Sequence, residues 1–592
     1  MSKSMNTIKK TWPYLKGPII ASLILFGSWI KQFIPTYSFA KLILKTTFTL
    51  TESANKMGVH FIHTPNPVHP WFEHIKPWHQ AAGASVSVAD VNNDGWYDFY
   101  LTNSGKNSLN QLYINDKNGH FVEQGEKFQV ANINQENYSM GSLFFDCNND
   151  GFKDLVILRE CPALFINKNG KTFTDATSQS GLTQCRHYMT AGNFYDLDND
   201  GDLDLILGAY YDEDLWHPKT SMVMPYGFLN STNKAPLDVF INNGSCQFTK
   251  SPNNLGIYTR GWNFNFTFYH VDDSGYPILW VNNDYGVDSL FNWDAEKKVF
   301  KNIGDKISNA GQSRNGMGMA IADLFNQNQL FFYASHVLAP MQKTSGNILW
   351  QYKSDGSMVK TPDALGGRKC HWSWGSQFVD LDNNGFLDLV VVNGFITGKN
   401  ALKNYWYNIT VLDSMDREFS RNAKNWPPWG DVSLEGGTQN CLFYNTGKSL
   451  LNIVDKVEDF GKSRFDGRGV ATIDINNNGS MSLIVANQMG PTQIYFNEQK
   501  NKNAWIGFNL VSNKTSAPSA LGTRIKLYLM DGVILQKQHW PKTGFSSQND
   551  DRIHFGLGTS RLNKIEVEWP HRKPIEYTDL KINSYNVLKE PQ

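Results

Sequence analysis

The stretch that decides the fold is Phe194 to Gly208, FYDLDNDGDLDLILG. Asp196, Asp198 and Asp200 alternate along it, so a tight turn aims all three to one side, and Gly201 permits the sharp bend. A hard cation such as calcium takes about six to eight oxygens at about 2.3–2.6 Å. The three carboxylates, Asp204 and the backbone carbonyl of Asp202 nearly fill that shell. No Glu stands at the position that would complete a helix–loop–helix site. The apolar run LDLILG follows directly and reads as a buried strand. The predicted element is therefore a calcium loop between strands.

The same text recurs along the chain. VADVNNDGWYDFYLTN supplies Asp90, Asn92, Asp94 and Asp98, with the carbonyl of Trp96 at the backbone position. FFDCNNDGFKDLVIL supplies Asp146, Asn148, Asp150 and Asp154, with Phe152. FVDLDNNGFLDLVVVNG supplies Asp380, Asp382, Asn384 and Asp388, with Phe386. ATIDINNNGSMSLIVAN keeps Asp474, Asn476 and Asn478 but has Ser482 where the last carboxylate belongs. Two eroded copies keep Asp272 and Asp323. Counting ligand carboxylates predicts the tightest binding at Asp196, equal binding at Asp90, Asp146 and Asp380, and weak or no binding at Asp474. Seven copies at a period of roughly 50–95 residues mean a propeller or solenoid. With about four strands per copy, the fold class is all-β, a seven-bladed β-propeller whose closed ring leaves no long edge exposed.

These loops resemble FG-GAP (integrin-α-like) repeats. With HWSWGSQFVDLDNNG, VNNDYGVDSLF and GRGVATIDINNNG, the text is similar to bacterial proteins of the cartilage-acidic-protein type. The resemblance implies a propeller with calcium in some blades, serving as a binding or scaffold platform. Beyond about residue 501, alternating strands carry Gly522-Thr523-Arg524, Gly544-Phe545-Ser546-Ser547-Gln548, His554-Phe555-Gly556-Leu557-Gly558 and Trp569-Pro570. They resemble the ASPIC/UnbV module found behind FG-GAP repeats. The usual Gly after Trp-Pro is replaced by His571. The expected domains are 1–45, a signal anchor and linker; 46–500, the propeller; and 501–592, a β-sandwich.

Lysine plus arginine and aspartate plus glutamate balance at 55 each, which argues against a nucleic-acid partner. Lys3, Lys9, Lys10 and Lys16 precede the uncharged run Pro18 to Ile30. That order is a membrane anchor, a signal cleaved near Ser38-Phe39-Ala40, or an amphipathic segment. The anchor is preferred, and lysines before the run hold the N-terminus in the cytoplasm. The bulk of the chain is then expected in the bacterial periplasm, tethered to the inner membrane. The six cysteines, without a CxxC pair, are read as buried free thiols, with Cys161 and Cys185 the pair that could bond in an oxidising compartment.

Four further stretches are open to two readings. His60, His63, His69, His74 and His79 sit in a Pro-rich segment that either packs over the first blade or binds a transition metal. Trp262, Phe264, Phe266 and Phe268 share one face of a strand, for blade packing or for ligand stacking. The insertion between Asn393 and Cys441 either contacts a partner or caps the ring. The function expected is a calcium-binding module that docks a protein or glycan. The alternative is a propeller enzyme, polysaccharide-active or metal-dependent and oxidative, although no Walker loop, GxSxG or HExxH is present. The ring axis separates the two: a pocket with His, Arg and a carboxylate outside the loops favours chemistry.

Overall fold

The computed structural model describes residues 46–591, except 133–137, 187, 211–235, 260, 273, 305–314, 339–345, 416 and 513–519. The expected N-terminal anchor lies outside these residues. Among the described residues no helix is long and apolar enough to cross a membrane. The described chain is mostly β, in many small sheets.

Seven of the sheets are built on four strands in antiparallel meander order. Their first strands are Val86–Ala89, Gly141–Phe145, Met189–Tyr195, Asn263–Tyr269, Met319–Asp323, Ser373–Val379 and Asp466–Ile473. Each packs beside the first strand of the next sheet, and the seventh returns to the first. The seventh sheet borrows its outermost strand from the other end of the chain: Phe48–Glu52 pairs antiparallel with Gln493–Gln499. These strands are buried along nearly their whole length.

Two rows of asparagine join neighbouring sheets. The first row lies at or near the end of the third strand in five sheets. Asn167 donates to the Val91 carbonyl at 2.8 Å, Asn242 to Cys147 at 2.8 Å, Asn445 to Leu324 at 2.6 Å, Asn497 to Leu381 at 2.8 Å and Asn115 to Ile475 at 3.0 Å. Every acceptor lies in the loop of the preceding sheet. The second row sits at the left-handed fourth position of the loops. Asn93 reaches the Gly151 carbonyl, Asn383 that of Gly479 and Asn477 that of Gly95. Asparagine tolerates that backbone region and carries an amide to spend across the gap.

Residues from Ala504 onward build two more sheets, one of three strands and one of four, around their own core of Ile506, Phe508, Ile525, Leu527, Phe555 and Val567. This module does not stand apart from the ring, since residues 47–592 form one compact unit. Its segment Pro541 to Arg552 enters the ring axis. Ser547 and Gln548 pair parallel with Val86 and Ser87, Gly544 N–H donates to the Met319 carbonyl at 2.8 Å, and Asp550 N–H donates to Thr472 at 3.0 Å. Phe545, fully buried, packs against Phe264 and Trp374.

The cysteine expectation is corrected. Cys147–Cys246, Cys161–Cys185 and Cys370–Cys441 are disulfides, and no free cysteine remains. Only the second pair was suggested by sequence. The other two are 99 and 71 residues apart and are brought together by the ring.

Removing one amide of the first row leaves buried carbonyls unpaired. Asn445→Ala strands those of Leu324 and Leu387 and is expected to cost about 1–3 kcal/mol in denaturant unfolding. Asn243→Ala, at an exposed turn, is expected to stay within about 0.5 kcal/mol.

Candidate metal centre

In the Asp196 loop the backbone arranges the carboxylates. The N–H groups of Asp200 and Gly201 donate to Asp196, each at 3.0 Å, and Asp202 N–H donates to Asp200 at 3.0 Å. Asp204 opens the next strand and accepts from Leu197 N–H at 2.7 Å and Asn242 N–H at 2.8 Å. Gly201 takes a φ of +97°, which is open to glycine. Asp196, Asp198 and Asp204 each offer an oxygen, and these oxygens lie within 4.8 Å of one another. Burial, together with the neighbouring carboxylates, pushes Asp196 up to about 7 and Asp204 up to about 8. The donor set is all oxygen and carries excess negative charge, so it fits a hard divalent cation. The Asp202 side chain accepts from Asn149 of the preceding loop at 2.9 Å.

The hydrogen-bond plan repeats in the other loops. Asp90 accepts from Asp94 and Gly95, and Asp98 from Val91 and Asn115. Asp146 accepts from Asp150 and Gly151, and Asp154 from Cys147 and Asn167. Asp380 accepts from Asn384 and Gly385, and Asp388 from Leu381 and Asn445. Asp474 accepts from Asn478 and Gly479, and Ser482 takes over the last place by accepting from Asn497. Asn92 and Asn148 each hold the following acid, Asp94 and Asp150, at 3.0 Å. Trp96, Phe152 and Phe386 donate their N–H groups to the fifth-position side chain of their own loops. Burial pushes Asp90 up to about 6 and Asp154 up to about 7. In the eroded copies Asp323 still accepts from Gln327 and Asn328, and Asp272 accepts from Ser274.

The histidine-rich segment disperses its rings. His63 bonds Ser104 at 3.1 Å, His74 bonds the Ala423 carbonyl at 2.8 Å, His79 stacks on Phe72, and His69 accepts from Trp71 N–H as a helix cap. Burial lowers both His63 and His79 to about 3, so both rings are neutral. Among the described residues these histidines do not gather at one point. Trp262, Phe264, Phe266 and Phe268 are all buried in packing between sheets. The insertion forms a helix over Trp406–Ser414 and a second over Arg417–Arg421, and folds over one mouth of the ring. There Trp429 N–H donates to the His74 carbonyl and Trp426 packs on Trp78.

Under that cap lies Arg468, fully buried and unflagged by sequence. It donates to the carbonyls of Ala81, Gly394 and Phe395 and lies 4.2 Å over the Trp374 ring. At the opposite mouth the C-terminal module covers the loops. A cavity of about 150 Å³ there is lined by Lys537, His539, Trp540, Asp550, Asp551 and Arg552, among others. The groups that would favour chemistry do assemble, but they pair with each other and with the ring. Arg552 holds Asp550 at 2.5 Å between the rings of Tyr97 and Tyr585, and Asp551 takes the Tyr97 hydroxyl and Lys153.

The chain carries an FG-GAP-like repeat, matched over residues 90–157, and an ASPIC and UnbV domain, matched over 513–592. Its relatives are more particular. Cartilage acidic protein 1 of Xenopus tropicalis is 20% identical over 517 residues, covering 82% of this chain and 70% of the relative. The Homo sapiens protein of that name is 21% identical over 343 residues, covering 52% of this chain and 50% of its own length. Among solved structures, BBS1N in complex with ARL6DN aligns with a TM-score of 0.37 at 8% identity, over 76% of this chain and 98% of that chain.

Proposed function

We propose that the seven sheets are the blades of a propeller stapled by calcium, and that the chain is an exported scaffold docking a protein or glycan partner. The N-terminal segment tethers it to the bacterial inner membrane, with the bulk in the periplasm. The pairing of all six cysteines supports an oxidising compartment. The observation that carries the binding reading is at the insertion. Tyr407, Met415 and Phe419 are exposed there by 76%, 47% and 45%, while the axis behind them is filled by Phe545 and Arg468. Large apolar side chains left in solvent on a capping insertion mark a contact surface.

Pull-down from detergent-solubilised membranes tests the surface. A Tyr407→Ser, Phe419→Ser double variant is expected to lose a partner that the wild type retains; identical capture rules the insertion out. The metal is tested separately. A cation bound only to the folded state adds about 2.7 kcal/mol per site at a hundredfold excess over Kd. Excess chelator is therefore expected to lower the melting temperature by at least about 5 °C, and an unchanged value overturns structural calcium.

A further inference from the structure

The three disulfides differ in exposure and in what they join. Cys147, Cys246, Cys370 and Cys441 are each at most 5% exposed. Their two bridges sit inside packed seams between sheets. Cys147 lies against Asp154 of its own loop, and Cys370 against Asn393. The third bridge stands at the surface, with Cys161 half-buried and Cys185 exposed. Exposed disulfides are the ones open to an entering thiolate.

This bridge joins two irregular segments. Cys161 lies in the turn between strands Asp154–Leu158 and Ala163–Asn167, and Cys185 in the connection that precedes Met189–Tyr195. Its partners are 24 residues apart, against 99 and 71 for the buried pairs. A shorter loop constrains the unfolded chain less, so opening this bridge costs the fold least. The Arg186 N–H donates to the Glu160 carbonyl at 2.6 Å, which keeps the two segments adjacent when the sulfurs part. Two guanidinium groups flank the bridge. Arg159 donates to the Cys161 carbonyl at 2.9 Å, and Arg186, also paired with Asp238 at 3.2 Å, donates to the Cys185 carbonyl at 3.4 Å. A cation beside a thiol lowers its pKa, and a thiol of lower pKa leaves faster.

From this placement we infer that Cys161–Cys185 is a thiol–disulfide exchange site, opened and closed by a dithiol oxidoreductase while the two buried bridges hold the fold. A thiolate of the dithiol attacks the exposed Cys185 sulfur. The Cys161–Cys185 bond breaks, a bond forms between Cys185 and the entering sulfur, and Cys161 leaves with the electron pair as a thiolate. The second thiolate of the dithiol then attacks its own neighbour in the mixed disulfide, and Cys185 leaves in turn. The dithiol ends as a disulfide, and the protein gains two electrons and, from the dithiol, two protons. The exchange needs neither calcium nor a docked partner. It frees the connection ahead of the third sheet's inner strand. Just beyond Cys185, the Tyr188 hydroxyl accepts from the Ala82 N–H at 3.1 Å in the aromatic cluster beneath the cap, so the bridge fastens this side of the ring to the capped mouth.

The test is alkylation of the folded full chain, read peptide by peptide by mass spectrometry, with one reagent applied before unfolding and a second after it. Under dithiothreitol, Cys161 and Cys185 are expected to open together at least about tenfold faster than the other four cysteines, with circular dichroism unchanged. Glutathione, a monothiol, stops at the mixed disulfide, and its adduct is expected on Cys185. Reduced thioredoxin, the protein dithiol used as probe, is expected to open the same bridge and neither of the others. Equal opening of all three bridges, earlier opening of a buried one, or opening of Cys161–Cys185 only as the dichroism collapses overturns the inference. A glutathione adduct on Cys161 overturns attack at Cys185, and a bridge that dithiothreitol opens but thioredoxin does not overturns the oxidoreductase.

Discussion

A ring of small sheets has to be closed twice, around its circumference and along its axis. Around the circumference, Phe48–Glu52 completes the seventh sheet from the far end of the chain. Along the axis the innermost strands crowd together and bring backbone and polar groups to a region that water would otherwise fill. Here the chain fills it with itself. Gln548 exchanges two hydrogen bonds with the backbone of Phe144, at 2.9 and 2.8 Å, and Asn549 accepts from Thr472 N–H at 3.0 Å. Phe545 ends the run inside an aromatic cluster that Arg468 and Trp374 hold from the other side. Buried backbone groups have to be paired, and the axial segment pairs them.

The loops extend the same economy to charge. Four of the five turns bury a carboxylate at the start of a strand: Asp98, Asp154, Asp204 and Asp388. Backbone N–H groups satisfy these oxygens as acceptors but do not neutralise them, and burial pushes every one of them upward. The C-terminal module brings charge of both signs against the ring, with Arg552 paired to its own Asp550 and Asp551 paired to Lys153. In the Asp196 loop three carboxylate oxygens, from Asp196, Asp198 and Asp204, lie within 4.8 Å of one another. Ring closure, charge balance and module docking are thus parts of one arrangement.

Much of this could be read from the residues, because turn chemistry is local. Asp followed by Asp or Asn at the third and fifth positions, then Gly and an apolar run, specifies a loop and a strand within about ten residues, and it does so at five copies. What stayed hidden is long-range. Cys147 and Cys246, or Phe144 and Gln548, meet through the ring, and nothing near either residue announces the other. The inter-sheet asparagines were nonetheless within reach: Tyr113-Ile114-Asn115, Phe165-Ile166-Asn167, Phe240-Ile241-Asn242, Phe443-Tyr444-Asn445 and Tyr495-Phe496-Asn497 repeat an aromatic-x-Asn ending in the same register as the loops. The paired acidic and basic text at Asn549 to Arg552 gave a weaker signal, since charge in a module of this kind usually faces solvent.

The account stands on the axial segment being part of the ring's core. Hydrogen exchange followed by mass spectrometry on the full chain measures that directly. Amides of residues 544–550 are expected to exchange as slowly as those of the inner strand Ser373–Val379, because both open only with the ring. Rapid exchange of 544–550 while Ser373–Val379 remains protected would show the segment to be a loose appendage and would contradict the account.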